Sequence, residues 1–300
     1  MSELKEWPLV TYVVLSYNHA RFVRQAIESI LAQRYPAIEL IVVDDGSTDG
    51  SVEILRDLSF RKGFRLVEKE NGGVVSSVNL GVSLASGQFI VPHASDDVSH
   101  PDRTSVQVEM LMQFPDVGFV AGGIRKVDES GVPLGVPSGT RPCIYTFEDF
   151  RVGEAAVSAV SCMYRAEAIG GVLPLDERVS FEDVQLFWRV TEQGWKCLRD
   201  DRVAVVDYRI VRSSLGRSRK VKLWRDFLLF IRRYEGREWY PRLISRAYSG
   251  LFVQLAIEEK GRAIRFLFRN VVRIRLKELI RGCILLCMPR WLVSSLRKKY

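Results

Sequence analysis

The chain has 300 residues, 47% hydrophobic and 27% charged, which suits one sizeable core or one domain with a smaller appendage and argues against extended disorder. Five cysteines (Cys143, Cys162, Cys197, Cys283, Cys287) show no paired or zinc-type spacing and point to a reducing compartment, and three histidines leave little room for a His-rich metal site. The net charge of +8 is uneven: residues 262–300 carry +10 and the remainder −2, which removes the case for a nucleic-acid surface over the whole protein.

The opening MSELKEWPLV holds acids and no long apolar run, so no signal peptide is expected. No stretch of about 18 uncharged apolar residues occurs, so no spanning helix is predicted. Residues 8–18 are apolar and β-branched and read as a buried strand. Residues 20–33 place Phe22, Ala26, Ile30 and Leu31 at helical spacing. A second buried strand is predicted at 38–45, a helix from 51, a third strand at 64–70, a helix entered over Gly72-Gly73, and a fourth strand running from 88 into acids. Strands alternating with helices of this length imply a mainly parallel sheet with helices on both faces. From about Gly118 the pattern changes to a strand and hairpin, then a strand at 157–165, a helix at 181–194 ended by Gly194, and a closing strand at 196–210. Beyond roughly Ser213 the chain reads as helical.

Ligands of open parallel sheets bind beyond the carboxyl ends of strands. Asp44-Asp45 and Asp96-Asp97 lie at two such ends, where acids can hydrogen-bond a base or ribose or hold a hard cation. Thr48 and Asp49 read as turn and helix-cap residues, but a cap does not require the additional acid at 45. A P-loop, a G-x-G-x-x-G turn and a G-x-S-x-G elbow are all missing, which excludes the commoner nucleotide and hydrolase motifs.

Three ordered stretches, VVLSYNHARFVRQAIESILAQRYPAIELIVVDDGSTDGS, ENGGVVSSVNLGVSLASGQFIVPHASDD and FEDVQLFWRV, together resemble the family 2 glycosyltransferases over about residues 8–212. The resemblance implies the GT-A fold, a Rossmann-like nucleotide half joined to an acceptor half. It gives Asp45 the place of the acid that hydrogen-bonds the nucleotide base, puts Ser16 and Tyr17 where the family contacts the nucleotide, and adds Asn79 to the nucleotide-sugar set. Asp96 and Asp97 match the end of the D-x-D metal motif, with Mn²⁺ or Mg²⁺ as cofactor. Asp183 matches the general base and Glu182 its neighbour. The chemistry suits these types: a divalent ion offsets charge growing on the leaving diphosphate, and an opposed carboxylate takes the acceptor proton, inverting the anomeric centre.

Three departures stand out. Ala94 replaces the first Asp of D-x-D, and Val78 fills a place often held by Arg. The segment 208–214 lacks the His often found there, so Arg209 or Arg212 is left as a source of charge for the diphosphate, with a solvated arginine as the equal reading. His93, Trp188 and Trp195 read as core, and Cys283 and Cys287 as a buried helix face rather than lipidation sites.

In the tail, Arg262, Arg265, Arg269, Arg273 and Lys277 form a basic stripe with Ile264, Leu267, Phe268 and Val271 mainly opposite, and Pro289 divides the segment. This reads as an interfacial helix on an anionic membrane rather than one packed on the catalytic domain.

The expected fold class is α/β: a GT-A, Rossmann-like, mainly parallel sheet with helices on both faces and a C-terminal helical extension. The expected domains are a nucleotide-sugar glycosyltransferase domain at 1–212 and a basic helical region at 213–300. The expected activity is inverting transfer from a nucleotide-diphosphate sugar to a hydroxyl of a lipid-linked glycan acceptor in surface polysaccharide assembly. The expected location is cytoplasmic, peripheral on the inner face of the plasma membrane, with no nucleic-acid partner. The alternative, motivated by Ala94 and Val78, is a catalytically silent nucleotide-sugar-binding or scaffold subunit at the membrane.

Overall fold

In the computed structural model, which describes residues 7–135, 139, 141–211 and 220–288, the run VTYVVLS forms β1 (Val10–Ser16), buried along nearly its whole length. A strand apolar on both faces must be covered on both, which makes it a central parallel strand. β2 (Ile38–Asp44) pairs with it in parallel on one side, from Val10 opposite Ile38 to Ser16 opposite Asp44. β4 (Phe89–Ala94) pairs in parallel on the other, from Val10 opposite Phe89 to Leu15 opposite Ala94. β3 (Arg65–Glu68) extends the sheet beyond β2. The connecting helices are α1 (Val23–Leu31), α2 (Ser51–Lys62) and α3 (Val74–Ser83). In α1 the buried residues are Val23, Ala26, Ile27 and Ile30, while Leu31, expected on the same face, is exposed.

The second half of the sheet is mixed. It contains β5 (Val98–Ser99), β6 (Val117–Val127), β7 (Cys143–Tyr145), β8 (Cys162–Arg165) and β9 (Lys196–Arg209). The order is β3-β2-β1-β4-β8-β6-β9-β5, with β7 against β9. β8 runs antiparallel to both β4 and β6. The helices here are α4 (Arg103–Gln113), α5 (Phe147–Val152), α6 (Ala166–Gly170) and α7 (Asp183–Glu192). The sequence pattern did not single out α4, α5 or α6. Part of the strand expected at 157–165 is instead a 3-10 turn at Ala159–Ser161. α4 buries Arg103, Thr104 and Gln107 along with Val108 and Leu111, which blurs the apolar period that would announce a helix.

β1 lies between β2 and β4, and the chain visits β2 first and β4 later, so the carboxyl ends of β1 and β4 form a topological switch point. On one side of the sheet Tyr12, Val14, Val23, Ile27, Ile30 and Leu55 share a core. On β1, Val13 meets α3 at Gly81, where an added Cβ would fall 2.2 Å from Val13 Cγ1. Gly81→Ala should therefore destabilise the protein: overpacking costs about 1–3 kcal/mol, against about 1 kcal/mol gained in helix propensity. A lower urea midpoint at unchanged slope is the expected readout, and a raised midpoint would mean that the α3–β1 contact yields freely.

Contacts divide the chain into two compact units, residues 1–177 with 181–211, and residues 178–180 with 212–300. In the second, α8 (Lys220–Ile231), α9 (Tyr240–Glu258), α10 (Lys260–Asn270) and α11 (Leu276–Cys287) enclose Val221, Leu251, Phe252, Leu255, Ala263 and Leu285. Leu267, expected beside Ile264 and Phe268, instead packs toward this core. Cys283 is half-buried against the core as expected, whereas Cys287 is exposed. Pro289 lies outside the described residues. Among the described residues, no helix is long and apolar enough to cross a membrane.

Candidate active site

The loops leaving β1 and β2 are stitched together by side chains. Asn18, in the left-handed region at φ 56°, accepts the Thr48 N–H on its Oδ1 at 2.8 Å and donates its own N–H to Ser47 Oγ at 2.9 Å. The His19 N–H donates to Ser51 Oγ at 3.0 Å and the Ala20 N–H to Asp49 Oδ2 at 2.9 Å. Asp49 is thus a turn acid, while the cap position of α2 is Gly50. Asp44, 1% exposed, closes its own turn, accepting the Ser47 N–H at 2.8 Å and Ser47 Oγ–H at 2.7 Å.

Asp45 is 4% exposed, and both its oxygens are engaged: Oδ1 accepts the Gly72 N–H at 2.9 Å and Oδ2 the Gly73 N–H at 2.8 Å. Lys69 Nζ makes an ion pair with Oδ1. A carboxylate offers about four lone-pair positions, so one is left for a ligand donor. The sequence reading singled out Asp45 but not Lys69 or the Gly72-Gly73 amides that orient it. Ser16 is 2% exposed, and its Oγ has no partner. Tyr17 beside it is 47% exposed. A buried hydroxyl without a partner is uncommon and marks a place where a ligand or water can complete the bonding.

At the switch point, Asp96 on the loop after β4 faces His19 on the loop after β1, with Nε2 to Oδ2 at 3.8 Å. His19 Nδ1 lies 2.8 Å from Ser95 Oγ, which fixes the ring. The Asp96 side chain retains 16% exposure and His19 28%. His19 carried no assignment in the sequence; its only signal was its position three residues beyond a strand-end serine.

Asp97 is different. It is 1% exposed, its Oδ1 accepts the Arg209 N–H at 2.8 Å, and its Oδ2 has no partner. Burial, and then the charge of Asp96, push its carboxyl up to about 8. Arg209, a candidate for diphosphate charge, is itself buried. Its guanidinium donates to the Asp96, Asp128 and Glu129 carbonyls and to Gln25, and lies 4.8 Å from the Phe22 ring centroid. It shapes the loop that carries Asp96 and presents no free face to a phosphate. Arg212 lies outside the described residues.

Glu182 and Asp183 stand at the start of α7, half-buried, with part of each residue still open to solvent. Burial, with the charge of Asp183 next, pushes Glu182 up to about 8. Burial likewise raises Asp183, opposed by the Val184 N–H that Oδ1 accepts at 2.7 Å. Asp183 acts electrostatically on Cys162 and Tyr164 of β8, the strand next to β4. Asn79 is not brought to this group. Its side chain bonds Leu175 on both amide atoms and Glu177 Oε1, bracing the segment that precedes the acid pair. His93 is a core histidine, its Nδ1 2.7 Å from the Ala94 carbonyl oxygen, and burial lowers it to about 3. Trp188 is buried as expected.

Among the described residues, no cluster of three or more His, Cys, Asp or Glu side chains is placed to hold a metal. The set at the switch point still fits a divalent ion of the Mg²⁺ or Mn²⁺ kind. Such ions commonly take one or two carboxylates and complete their shell with substrate phosphates and water.

The family described as Glycosyl transferase family 2 matches residues 11–169. An uncharacterized glycosyltransferase of Rickettsia felis is 36% identical over 128 residues, 42% of this chain and 21% of that protein. A poly-beta-1,6-N-acetyl-D-glucosamine synthase of Staphylococcus epidermidis is 24% identical over 194 residues, 63% of this chain and 47% of the synthase. The chain therefore spans about half or less of the length of these two relatives. Among solved structures, S. aureus TarS 1-349 in complex with UDP-GlcNAc superposes with a TM-score of 0.66 at 15% identity, covering 91% of this chain and 83% of that one. The mannosyltransferase PcManGT of Pyrobaculum calidifontis, in complex with GDP-Man and Mn2+, gives 0.61 at 20% identity over 98% and 85%. These likenesses bear out the expected fold class. With the family match covering more than half of a chain folded in this way, the protein belongs to glycosyl transferase family 2 and has the GT-A fold.

Proposed function

We propose that the chain transfers a sugar, with inversion, from a nucleotide-diphosphate donor to a glycan hydroxyl. The observation that carries this reading is Asp96. Of the four strand-end acids, Asp44, Asp45 and Asp97 are buried and committed to main-chain amides, while Asp96 stays partly exposed at the switch point. Asp96, with His19 across from it, is the place for the divalent ion, and Asp97 becomes the residue that ties this loop to β9. When bound, the ion would offset negative charge on the departing diphosphate. Ser16, Tyr17 and Asp45 line the nucleotide side, where the spare lone pair of Asp45 and the unpartnered Ser16 hydroxyl take hydrogen bonds. Asp183 accepts the acceptor proton, its carboxyl made more basic than usual by burial, with Glu182 as its neighbour. We propose the same division for function: transfer belongs to residues 1–212, and residues 213–300 make up a separate C-terminal region.

The neighbours that carry UDP-GlcNAc or GDP-Man support a nucleotide-sugar donor, and the synthase relative supports polysaccharide assembly. We propose a lipid-linked acceptor and an inner-face membrane location on the charge of residues 262–300.

A thermal-shift series with UDP-, GDP- and dTDP-sugars, with and without Mn²⁺, tests the reading. A ligand at 100 times its Kd stabilises the native state by about 2.7 kcal/mol, so one nucleotide should raise the Tm, more so with the ion. No shift with any donor would overturn the donor assignment; a shift without transfer to any glycan would favour a silent scaffold. His19→Ala should weaken Mn²⁺-dependent donor binding by about tenfold, in the range for lost support around a metal. Calorimetry that shows equal affinity would remove His19 from the site.

A further inference from the structure

We propose that the outward face of α10 and α11 is a docking surface for an anionic lipid bilayer. The inference rests on the membrane location proposed above and gives that location its residues. Ile264 and Phe268 on α10 are 45% and 82% exposed, and Leu276, Ile280 and Ile284 on α11 are 72%, 54% and 51% exposed. Val272, in the 3-10 turn Val271–Arg273 between the helices, is 92% exposed. These six side chains recur at every fourth position from 264 to 284. Single exposed apolar residues are ordinary on a protein surface; a periodic run on one pair of helices marks an interaction face. The opposite face supplies the core, through Ala263, Ile274 and Leu285.

A basic residue follows each of the first five: Arg265, Arg269, Arg273, Lys277 and Arg281, all exposed. Glu278 is the one acid within residues 260–288, and it lies 3.9 Å from Arg281. Arg265, Arg269 and Lys277 have no acidic partner among the described residues. The basic residues therefore do not lie opposite the apolar ones, as the sequence stripe suggested; the two run side by side. That arrangement suits a bilayer surface, where apolar side chains enter the acyl boundary and guanidinium groups bond the phosphates beside them. A second copy of the chain fits less well. A two-fold contact sets the same patch against itself and would bring the two basic rows together.

The test is co-sedimentation of the full 300-residue chain with vesicles of phosphatidylcholine alone, or of equal parts phosphatidylcholine and phosphatidylglycerol. The chain should pellet with the anionic vesicles and stay in solution with the neutral ones. At about 1 M salt, where the Debye length falls to about 3 Å, binding should drop sharply. Each basic residue near such a surface is worth about fivefold, so the triple variant Arg265→Gln, Arg269→Gln, Lys277→Gln should bind about 100-fold more weakly. Phe268→Ser with Leu276→Ser should lose about tenfold at unchanged Tm, since both side chains are exposed in the free protein. Wild-type-like vesicle binding by both variants would overturn the proposal. So would light scattering showing a dimer that only Phe268→Ser with Leu276→Ser dissociates, with no vesicle binding by any form. The donor thermal shift on the same preparations keeps the two readings apart: a retained shift with no vesicle binding sinks the docking face alone.

Discussion

Asp183→Asn should lower sugar transfer by about 10²–10⁴-fold while donor binding stays near wild type. Asn keeps the size of the side chain and its place at the start of α7, and loses only the power to take a proton. General-base removal is worth about that factor, or roughly 3–5 kcal/mol of barrier. The surroundings of the pair set its pH behaviour. Burial raises both carboxyls, and Asp183's charge adds to the rise of Glu182 to about 8. A base must be deprotonated to act, and burial raises Asp183, so transfer should climb with pH over a range above that of an ordinary aspartate. Stability should run the other way. Glu182 holds its proton in the native state up to about 8, while the unfolded chain releases it near the ordinary glutamate value of 4.5. Between those values the native state binds more protons, so stability falls as pH rises through that window. A pH–rate profile and denaturant midpoints across the same range check both signs. Near-wild-type transfer by Asp183→Asn would falsify the base assignment.

Asp96→Ala should remove most of the Mn²⁺ dependence of donor binding and leave the fold intact, because its side chain is partly exposed and His19 Nε2 stands 3.8 Å from Oδ2, beyond hydrogen-bond distance. Asp97→Ala should behave in the opposite way. That carboxyl is 1% exposed and accepts the Arg209 N–H, so its loss strands a buried donor and costs about 1–3 kcal/mol of stability. Calorimetry of nucleotide with Mn²⁺, set beside urea denaturation of the same two variants, separates a ligand-binding acid from one that ties the loop to β9. If Asp97→Ala loses the ion at full stability while Asp96→Ala keeps it, the roles are exchanged.

The sequence alone was enough for the alternation of strands and helices through β4, for the acids at the ends of β2 and β4, and for the acid pair at the start of α7. Each rests on local information: a run of β-branched residues, a polar break, or a short ordered motif. The uneven charge of the tail was legible in the same way. What the tertiary structure decided is which of those acids remains available. Asp44, Asp45, Asp96 and Asp97 are the same residue type at equivalent strand ends, and neighbours remote in sequence set them apart: Gly72 and Gly73 for Asp45, Arg209 for Asp97, and His19 for Asp96. The same holds for Arg209, whose charge suggested a phosphate but whose guanidinium is spent on carbonyl groups around the Asp96 loop. In the tail, the residue spacing was visible, yet only packing against the helical core that includes Phe252 and Leu255 shows that Leu267 turns inward while Phe268, one residue on, faces out. A side chain's type and strand position follow from the chain itself; its exposure and hydrogen-bond partners depend on segments up to 184 residues away, as between Gln25 and Arg209. Contacts of that range are formed only by folding, so no local pattern encodes them.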